Sequence, residues 1–549
     1  MAPSRVAAGH GHTSIVTMPP VAGRACAPRA FPIRPVWVPV PTLARRVHPR
    51  RTPLVGDLMS PFRTSVPAAP PALIRAQENA VVEMVRIAPV ADELAVRFAD
   101  AGYRLYLVGG SVRDALLGRA GTDLDFTTDA RPDAVLALVT DWADAVWTIG
   151  IEFGTVGATH RGDTLEITTF RADAYDRVGR NPIIAFGDTI EADLVRRDFS
   201  VNAMAIDLHS AAHERRFVDP YGGLAALAAG VLDTPATPEE SFADDPLRML
   251  RAARFVAQLG LTPAPRVVAA MTAMAGEITR ITRERVQAEL SKLILGAHPR
   301  RALELMVDTG LAEHVLPEVP AMRLAIDEHM QHKDVYTHSL VVLEQAIAHE
   351  TDGPDLVLRL AALLHDIGKP DTRRKEAGGR VSFHHHEVVG AKMTRRRLRE
   401  LRYSTSVIDD VAQLVFLHLR FHGYGKGEWT DSAVRRYVAD AGPLLDRLHK
   451  LVRSDCTTRN RRRAAMLQRS YDTLEERIAV LREQEELDAI RPDLDGNAIM
   501  ELLGIAPGPF VGKAYRHMLA IRMQRGPLGA AEAAAELRRW AAENGIQAC

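Results

Sequence analysis

Apolar residues first fall into a regular period near Gln77. The stretch NAVVEMVRIAPVADELAVRFADAG, residues 79–102, repeats them at the spacing of one helical face and closes at Gly102. YRLYLVGG, 103–110, reads as a strand ending in a turn, and VRDALLG as a short helix stopped by Gly118. LDFTT is a further strand, and RPDAVLALVTDWAD, 131–144, a helix with Pro132 near its start. FGTVGATH and DTLEITTF alternate apolar with polar positions around Arg161–Asp163, the pattern of a hairpin. Beyond Pro238 the strand pattern disappears. DDPLRMLRAARFVAQLG, TRERVQAELSKLILG and PRRALELMVDTGLAEHVLP are helical stretches separated by Gly and Pro. Asp327 to about Arg459 is helical and rich in His, and the last 90 or so residues are again helical.

These patterns predict an α/β head followed by a long all-α body, with no internal repeat. The expected divisions are an extension at 1–75, a head at 76–235, a helical neck at 236–325, a His-rich domain at 326–460 and a C-terminal helical region at 461–549. At 549 residues the chain is too long for one domain.

Composition adds three constraints. No apolar run reaches the roughly 18 residues that span a membrane, so no membrane partner is expected. The cysteines Cys26, Cys456 and Cys549 form no CxxC pair, which suits a reducing, cytoplasmic compartment and disfavours a disulfide framework. The net charge of zero conceals an asymmetry: residues 1–75 are rich in Arg and Pro, lack Lys and carry one acid, Asp57. With no helical or strand period, that extension is expected to be disordered and without a catalytic part.

Candidate chemistry begins at LVGGSVRDALLGRAGTDLDFTT. Asp123 and Asp125 alternate along a strand, so both carboxylates face one side. Hard carboxylate oxygens suit Mg²⁺, which takes one or two of them together with phosphate oxygens and water. A D-x-D pair alone is weak evidence; Asp493 and Asp495 form another, read as solvated loop. The first pair is distinguished by what precedes it. Gly109 and Gly110 permit a tight turn and close approach to a ligand. The amides of Gly110 and Ser111 open a helix and point towards an anion, and Arg113 adds a fixed positive charge. Together the turn suits a triphosphate and the carboxylates a metal bridging it.

With GIEFGTVG, EITTFR, DLVRRDFSVNAMA, DPYGGLAAL and DDPLRMLRAARF following in order, residues 100–290 resemble the class II tRNA nucleotidyltransferase and poly(A) polymerase family. The resemblance implies addition of nucleotides to an RNA 3′ end; in CCA-adding members that end is a tRNA, extended from CTP and ATP with pyrophosphate release. It implies Mg²⁺ on Asp123 and Asp125, Glu166 as a third carboxylate, and nucleotide contacts from Gly109, Gly110, Ser111, Arg113 and Arg197. The structural alternative for Arg197 is an ion pair with Asp198.

In DDPLRMLRAAR the resemblance makes Asp245 and Arg248 a protein template for the base, with Arg251 and Arg254 following at spacings of three along a helix. The chemistry agrees. Cytosine N4 and adenine N6 donate beside a ring-nitrogen acceptor, matching a carboxylate next to an arginine. Guanine and uracil present the opposite order, which leaves buried groups unpaired at about 1–3 kcal/mol each. Asp245 ahead of Pro246 is also a good helix N-cap. Family members usually carry Glu where Asp244 stands and often Arg where Asp233 stands.

In the body, His338 (YTHSL), His365 and Asp366 (LLHDIGKP), His386 (HHHEVVGA), His418 (FLHLRFHGY) and Asp455 (LVRSDCTT) follow in an order that resembles the HD phosphohydrolase superfamily. Imidazole with carboxylate suits a divalent transition metal of open identity. The resemblance implies two-metal phosphatase or phosphodiesterase activity. His384, His385 and His422 fit the order less well and are expected to face solvent. The basic runs 394–402 and 458–463 are candidate RNA phosphate contacts. The expected activity is therefore CCA addition to tRNA, with no protein partner. The alternatives are poly(A) addition by the same site and an HD phosphohydrolase with an inactive head.

Overall fold

The structure is a computed structural model describing residues 71–545, except 120, 122, 173–184, 209–215, 325–333, 377–380, 422–428, 459 and 486–489. The extension lies outside the described residues up to residue 70. The first helix, Pro71–Asp100, begins six residues ahead of the period that starts at Gln77.

Among the described residues the head carries nine strands: β1 (Leu105–Val108), β2 (Asp123–Thr128), β3 (Ala145–Trp147), β4 (Thr155–His160), β5 (Asp163–Thr169), β6 (Arg171–Ala172), β7 (Ala185–Phe186), β8 (Ala205–Asp207) and β9 (Phe217–Val218). Seven form one sheet in the order β3-β4-β5-β2-β1-β8-β9, and β6 pairs with β7. β2 runs parallel to β5, whereas the other pairs of the sheet are antiparallel. The expected hairpin is β4–β5; Arg161 and Gly162 turn it with φ of 51° and 91°, the left-handed pair that a two-residue turn needs. Leu124, Phe126, Val156, Ala158, Leu165 and Ile167 are all buried in the main core with residues of the first helix. Alternation then directs Asp123, Asp125 and Glu166 to the opposite face. A smaller cluster of Tyr106, Val108, Phe170 and the helix residues Ile190 and Leu194 covers part of that second face.

Two sequence readings change. The helix expected over 131–144 ends at Val139, and the chain enters β3 at Ala145. The single helix expected over 299–317 is two, Pro299–Asp308 and Leu311–Val315, parted at Gly310 with φ of 77°. β3, β8 and β9 are two or three residues long, too short for alternation to show.

The helical body is tied together by buried charge. Arg359 is 3 % exposed. It pairs with Glu350 at 2.7 Å and donates to the carbonyls of Ile294 and Gly296 at 2.8 Å each, locking the helix Leu356–Leu364 to the end of the neck helix Arg283–Ile294. Arg397 pairs with buried Glu318, and the Ser291 hydroxyl donates to Tyr403 across the same boundary. Arg435 and Glu485, both buried, pair at 2.6 Å. The C-terminal helices Gly496–Leu503, Pro509–Arg525 and Ala530–Glu543 enclose a small core of Ile499, Leu503, Met518 and Leu537. Asp493 and Asp495 are not simple solvated loop. Asp495 caps a helix through Ala498 N–H, and Asp493 accepts from Leu528 N–H. Among the described residues no helix is long and apolar enough to cross a membrane.

Removing Arg359 leaves Glu350 charged and two carbonyls without their donor. Arg359→Ala is expected to destabilise the body by about 3–5 kcal/mol, read as a lowered urea midpoint. An unchanged midpoint would show that the pair is not a strut.

Candidate active sites

In the head, the hydrogen-bond register sets Asp125 directly beside Glu166. Gly109 has φ of 70°, and a Cβ there would lie 2.8 Å from Arg197 Nη1 and 3.4 Å from Asp125 Oδ2. At Gly110 a Cβ would lie 3.6 Å from both Arg113 Nη2 and Asp125 Oδ2. Glycine is thus required at 109, where φ is positive and a side chain would displace the Arg197 guanidinium, whereas a Cβ at 110 would make only ordinary contact. The helix Gly110–Leu116 opens at this point. Arg113 N–H closes its first turn on Gly109 O, so the amides of Gly110 and Ser111 lie outside the helical ladder. The Ser111 hydroxyl accepts from Asp125 N–H at 2.8 Å and donates to Asp123 O at 3.3 Å. Ser111 therefore clips the turn to the carboxylate strand.

The guanidiniums are held by specific partners. Arg197 donates to Asp193 Oδ2 through Nε and Nη2, at 3.3 and 3.0 Å. Its ion pair is with Asp193, one helical turn back, and not with the adjacent Asp198, whose side chain is engaged elsewhere. Asp198 accepts from Phe199 N–H, Asn202 Nδ2 and Arg251 Nε and Nη2. Asn202 Oδ1 in turn accepts from Arg113 at 2.6 Å. Arg248 donates to Arg196 O at 2.6 Å and to Ser241 Oγ at 2.8 Å. The segment Arg196–Asn202 consequently joins the glycine turn to the helix Leu247–Leu259, which follows Asp245. Asp245 does cap that helix, through Leu247 N–H at 3.2 Å, while its other oxygen accepts from Arg285 at 2.7 Å. Arg254 lies almost wholly buried, its Nε 2.9 Å from buried Glu289 and its guanidinium 4.3 Å from the Phe255 ring centre.

The second cluster gathers side chains from five helical stretches. His338, His365 and Asp455 bring ligand atoms within 4.8 Å of one another, as do Asp366, His386 and His418. Asp366 sits between the groups: Oδ2 is 3.2 Å from His365 Nε2, and Oδ1 is 3.2 Å from His386 Nε2. His365, His386 and His418 each hold Nδ1 2.6–2.9 Å from a backbone carbonyl three residues earlier. Such a bond fixes the proton on Nδ1 and leaves Nε2 as a ligand. His386 Nε2 then faces His418 Nε2 at 3.3 Å, and His338 Nε2 faces His365 Nε2 at 3.2 Å. The lone pairs of His386 and His418 so placed repel unless positive charge lies between them, and the donor set of imidazoles and carboxylates fits divalent cations. His384 and His385 are exposed; His422 lies outside the described residues.

Residues 105–233 match the poly(A) polymerase head domain, 260–322 the probable RNA- and SrmB-binding site of polymerase A, and 335–478 the HD domain. An A-adding tRNA nucleotidyltransferase of Deinococcus radiodurans is 33% identical over 451 residues, covering 80% of this chain and 95% of its own. The chain belongs to the tRNA nucleotidyltransferase and poly(A) polymerase family. A CCA-adding enzyme of Geobacillus stearothermophilus is 39% identical over 211 residues, which is 38% of this chain and half of that enzyme. The crystal structure of the Bacillus stearothermophilus CCA-adding enzyme in complex with CTP superimposes with a TM-score of 0.57 at 25% identity, over 83% of this chain and 97% of that one.

Several residues of this nucleotidyltransferase escaped the sequence reading. Lys369 reaches Asp366 Oδ2 at 2.9 Å, and its position three residues along in HDIGKP was the available signal. Asp193 as the anchor of Arg197 was readable from their i,i+4 spacing. Arg285, the partner of Asp245, lies 40 residues away and carried none.

Electrostatics separate the two sites. Burial, with Glu166 and Asp123 adding to it against Arg197 and Arg113, lifts the Asp125 carboxyl to about 6. In the HD cluster burial opposes charge, yet His365 and Lys369 hold Asp366 well below the usual carboxylate range. Burial lowers His418 to about 3. The raised Asp125 value means that ionisation disfavours the folded state as pH rises from 3.8 towards 6. Asp125→Asn should accordingly stabilise the cation-free protein at pH 7 by about 1–3 kcal/mol while removing transfer activity. Differential scanning at pH 4 and pH 7 tests this: a gain that is the same at both values would rule out the titration.

Proposed function

We propose that this enzyme extends tRNA 3′ ends with C, C and A from CTP and ATP, releasing pyrophosphate. The observation that carries the reading is the contact of Asp125 with the Gly109–Gly110 turn, with Glu166 in register beside it. Asp125, its carboxyl raised by burial with Glu166 and Asp123 adding to it, shares a sheet face with both, and the three would hold Mg²⁺. When bound, that ion neutralises the triphosphate and activates the RNA 3′-hydroxyl and the leaving pyrophosphate. The chain itself supplies the amides of Gly110 and Ser111 and the charges of Arg113 and Arg197 as a fixed cradle. Asp245 and Arg248 read the base, the carboxylate accepting from the amino group and the guanidinium donating to the ring nitrogen. The domain divisions follow the same reading: head at 76–235, neck at 236–325, HD domain at 326–460 and a C-terminal tRNA-binding region at 461–549, with the 1–75 extension outside the chemistry. The whole would act in the cytoplasm.

A second reading, A-only addition, is favoured by the end-to-end match to the Deinococcus A-adding enzyme. Incubation of tRNA lacking its CCA end with each nucleotide separately, then with CTP and ATP together, decides between them. C, C, A followed by arrest supports the proposal. A single A, added only to tRNA already ending in CC, supports the second reading, and a long A tract on unrelated RNA supports poly(A) polymerase. Asp123→Ala should abolish every transfer. Asp245→Ala should relax base choice by about tenfold or more; a variant that still rejected GTP and UTP would remove the template role.

For the HD cluster we propose hydrolysis of 2′,3′-cyclic or 3′-phosphate RNA ends with a divalent transition metal. Two groups of three candidate ligands support it, with Asp366 of one group 3.2 Å from His365 of the other. A His365→Ala, Asp366→Ala variant should lose hydrolysis of a 2′,3′-cyclic phosphate while retaining nucleotide transfer. Hydrolysis persisting unchanged would defeat the assignment.

A further inference from the structure

The sheet register continues past the carboxylates. Asp125 pairs with Glu166, Glu166 with Gly157, and Gly157 with Trp147. Side chains paired directly across strands share a face, so Trp147 stands in the same row as Asp125 and Glu166, two strands beyond Glu166. Its indole covers Gly157: a Cβ there would lie 2.0 Å from Trp147 Cε2. Glycine at 157 therefore lets the ring lie down on the sheet beside the carboxylates. Trp147 is nevertheless only half-buried, and nearby Phe153 is 45 % exposed.

Positive charge borders the same shelf. Arg171 Nη2 donates to Thr155 Oγ1, which lies 3.0 Å from Thr168 Oγ1, two residues along β5 from Glu166. Arg171 Nε is buried and has no hydrogen-bond partner among the described residues. Arg171 lies close to Asp193, Arg196 and Arg197, and burial, together with the charges of Arg196 and Arg197, lowers it to about 10. An aromatic ring open to one side, beside an arginine with a nitrogen left unpaired among the described residues, is the chemistry that holds single-stranded nucleic acid: a base stacks and a phosphate pairs.

We propose that Trp147 and Arg171 form the seat of the RNA 3′ end, with the terminal base of the incoming RNA stacked on the Trp147 indole and its backbone phosphate on Arg171. The proposal rests on the nucleotidyl-transfer reading of Asp123, Asp125 and Glu166, and it places the RNA on the β3–β4 side of the carboxylates, with the nucleotide on the glycine-turn side. The acceptor hydroxyl and the triphosphate then approach the carboxylate row from opposite ends, as in-line displacement requires.

The test uses the full chain and a tRNA minihelix lacking CCA. Trp147→Ala should raise the KM for RNA about tenfold or more, with the KM for CTP within twofold and the melting temperature unchanged. Trp147→Phe should restore most of the loss, which a role in strand packing alone would not predict. Arg171→Met should raise the RNA KM and reduce the slope of log affinity against log salt by about one. An RNA KM unchanged in Trp147→Ala overturns the proposal. So does an equal rise in both KM values, or a change in sedimentation with RNA KM intact, which would make the shelf an interface between copies. Binding is read separately in Asp123→Ala by tryptophan fluorescence: quenching by the minihelix that disappears with Trp147→Phe supports the seat even if wild-type transfer is absent, and quenching indifferent to Trp147 sinks it.

Discussion

The ion pair between Asp198 and Arg251 ties the head segment Arg196–Asn202 to the helix Leu247–Leu259. Asp198 is 8 % exposed and accepts from a backbone amide, an asparagine and two nitrogens of Arg251. Burial works against its charge, yet Arg251, Asn202 and Arg248 keep it ionised far below the ordinary carboxylate range. A buried pair of this kind adds little against an apolar substitute, but breaking it leaves a charge without solvent or partner, at about 3–5 kcal/mol. Its value is positional. Asn202 passes the restraint to Arg113, and Arg196 O passes it to Arg248. The glycine turn and the helix Leu247–Leu259 are thereby linked through one hydrogen-bonded segment, and reaction rates fall steeply when reacting groups are misplaced by even an ångström.

Both sites store electrostatic conflict that the fold alone does not relieve. In the head it is a carboxylate against burial, with Glu166 and Asp123 adding to it, expressed in the raised Asp125. In the HD cluster it is the His386 nitrogen against the His418 nitrogen at 3.3 Å. In each the side chains are held by neighbours: Ser111 clips β2, and three backbone carbonyls orient the rings. Preorganisation of this sort lowers stability locally and is supported by the buried struts elsewhere in the body.

The head and the ligand order of the HD cluster were legible in the sequence because they are local. Gly109–Gly110, Asp123 and Asp125 lie within seventeen residues, and alternation along a strand decides which way both carboxylates face. The six HD ligands were readable as an order, although only folding shows Asp366 placed between the two groups. What escaped was non-local or too short. Arg285 meets Asp245 across 40 residues. β3 has three residues and no period to detect, yet its register sets Trp147 in the carboxylate row. The structural alternative for Arg197, a pair with Asp198, shows the converse: the residue four positions back across the end of the helix meets it, so Asp193 and not Asp198 is the partner.

The struts between neck and HD domain bear on how two chemistries share one chain. Arg359 bonds to two carbonyls at the end of a neck helix, Arg397 to Glu318 and Tyr403 to Ser291. Each crosses the boundary between the helices that follow Asp245 and those that carry the HD ligands. With that boundary pinned by buried charge, and the neck pinned to the head through Arg251, the two clusters keep a fixed separation. On the proposed reading, hydrolysis of a terminal phosphate in the HD cluster would supply the free 3′-hydroxyl that transfer in the head requires, and an RNA end would leave one cluster to reach the other.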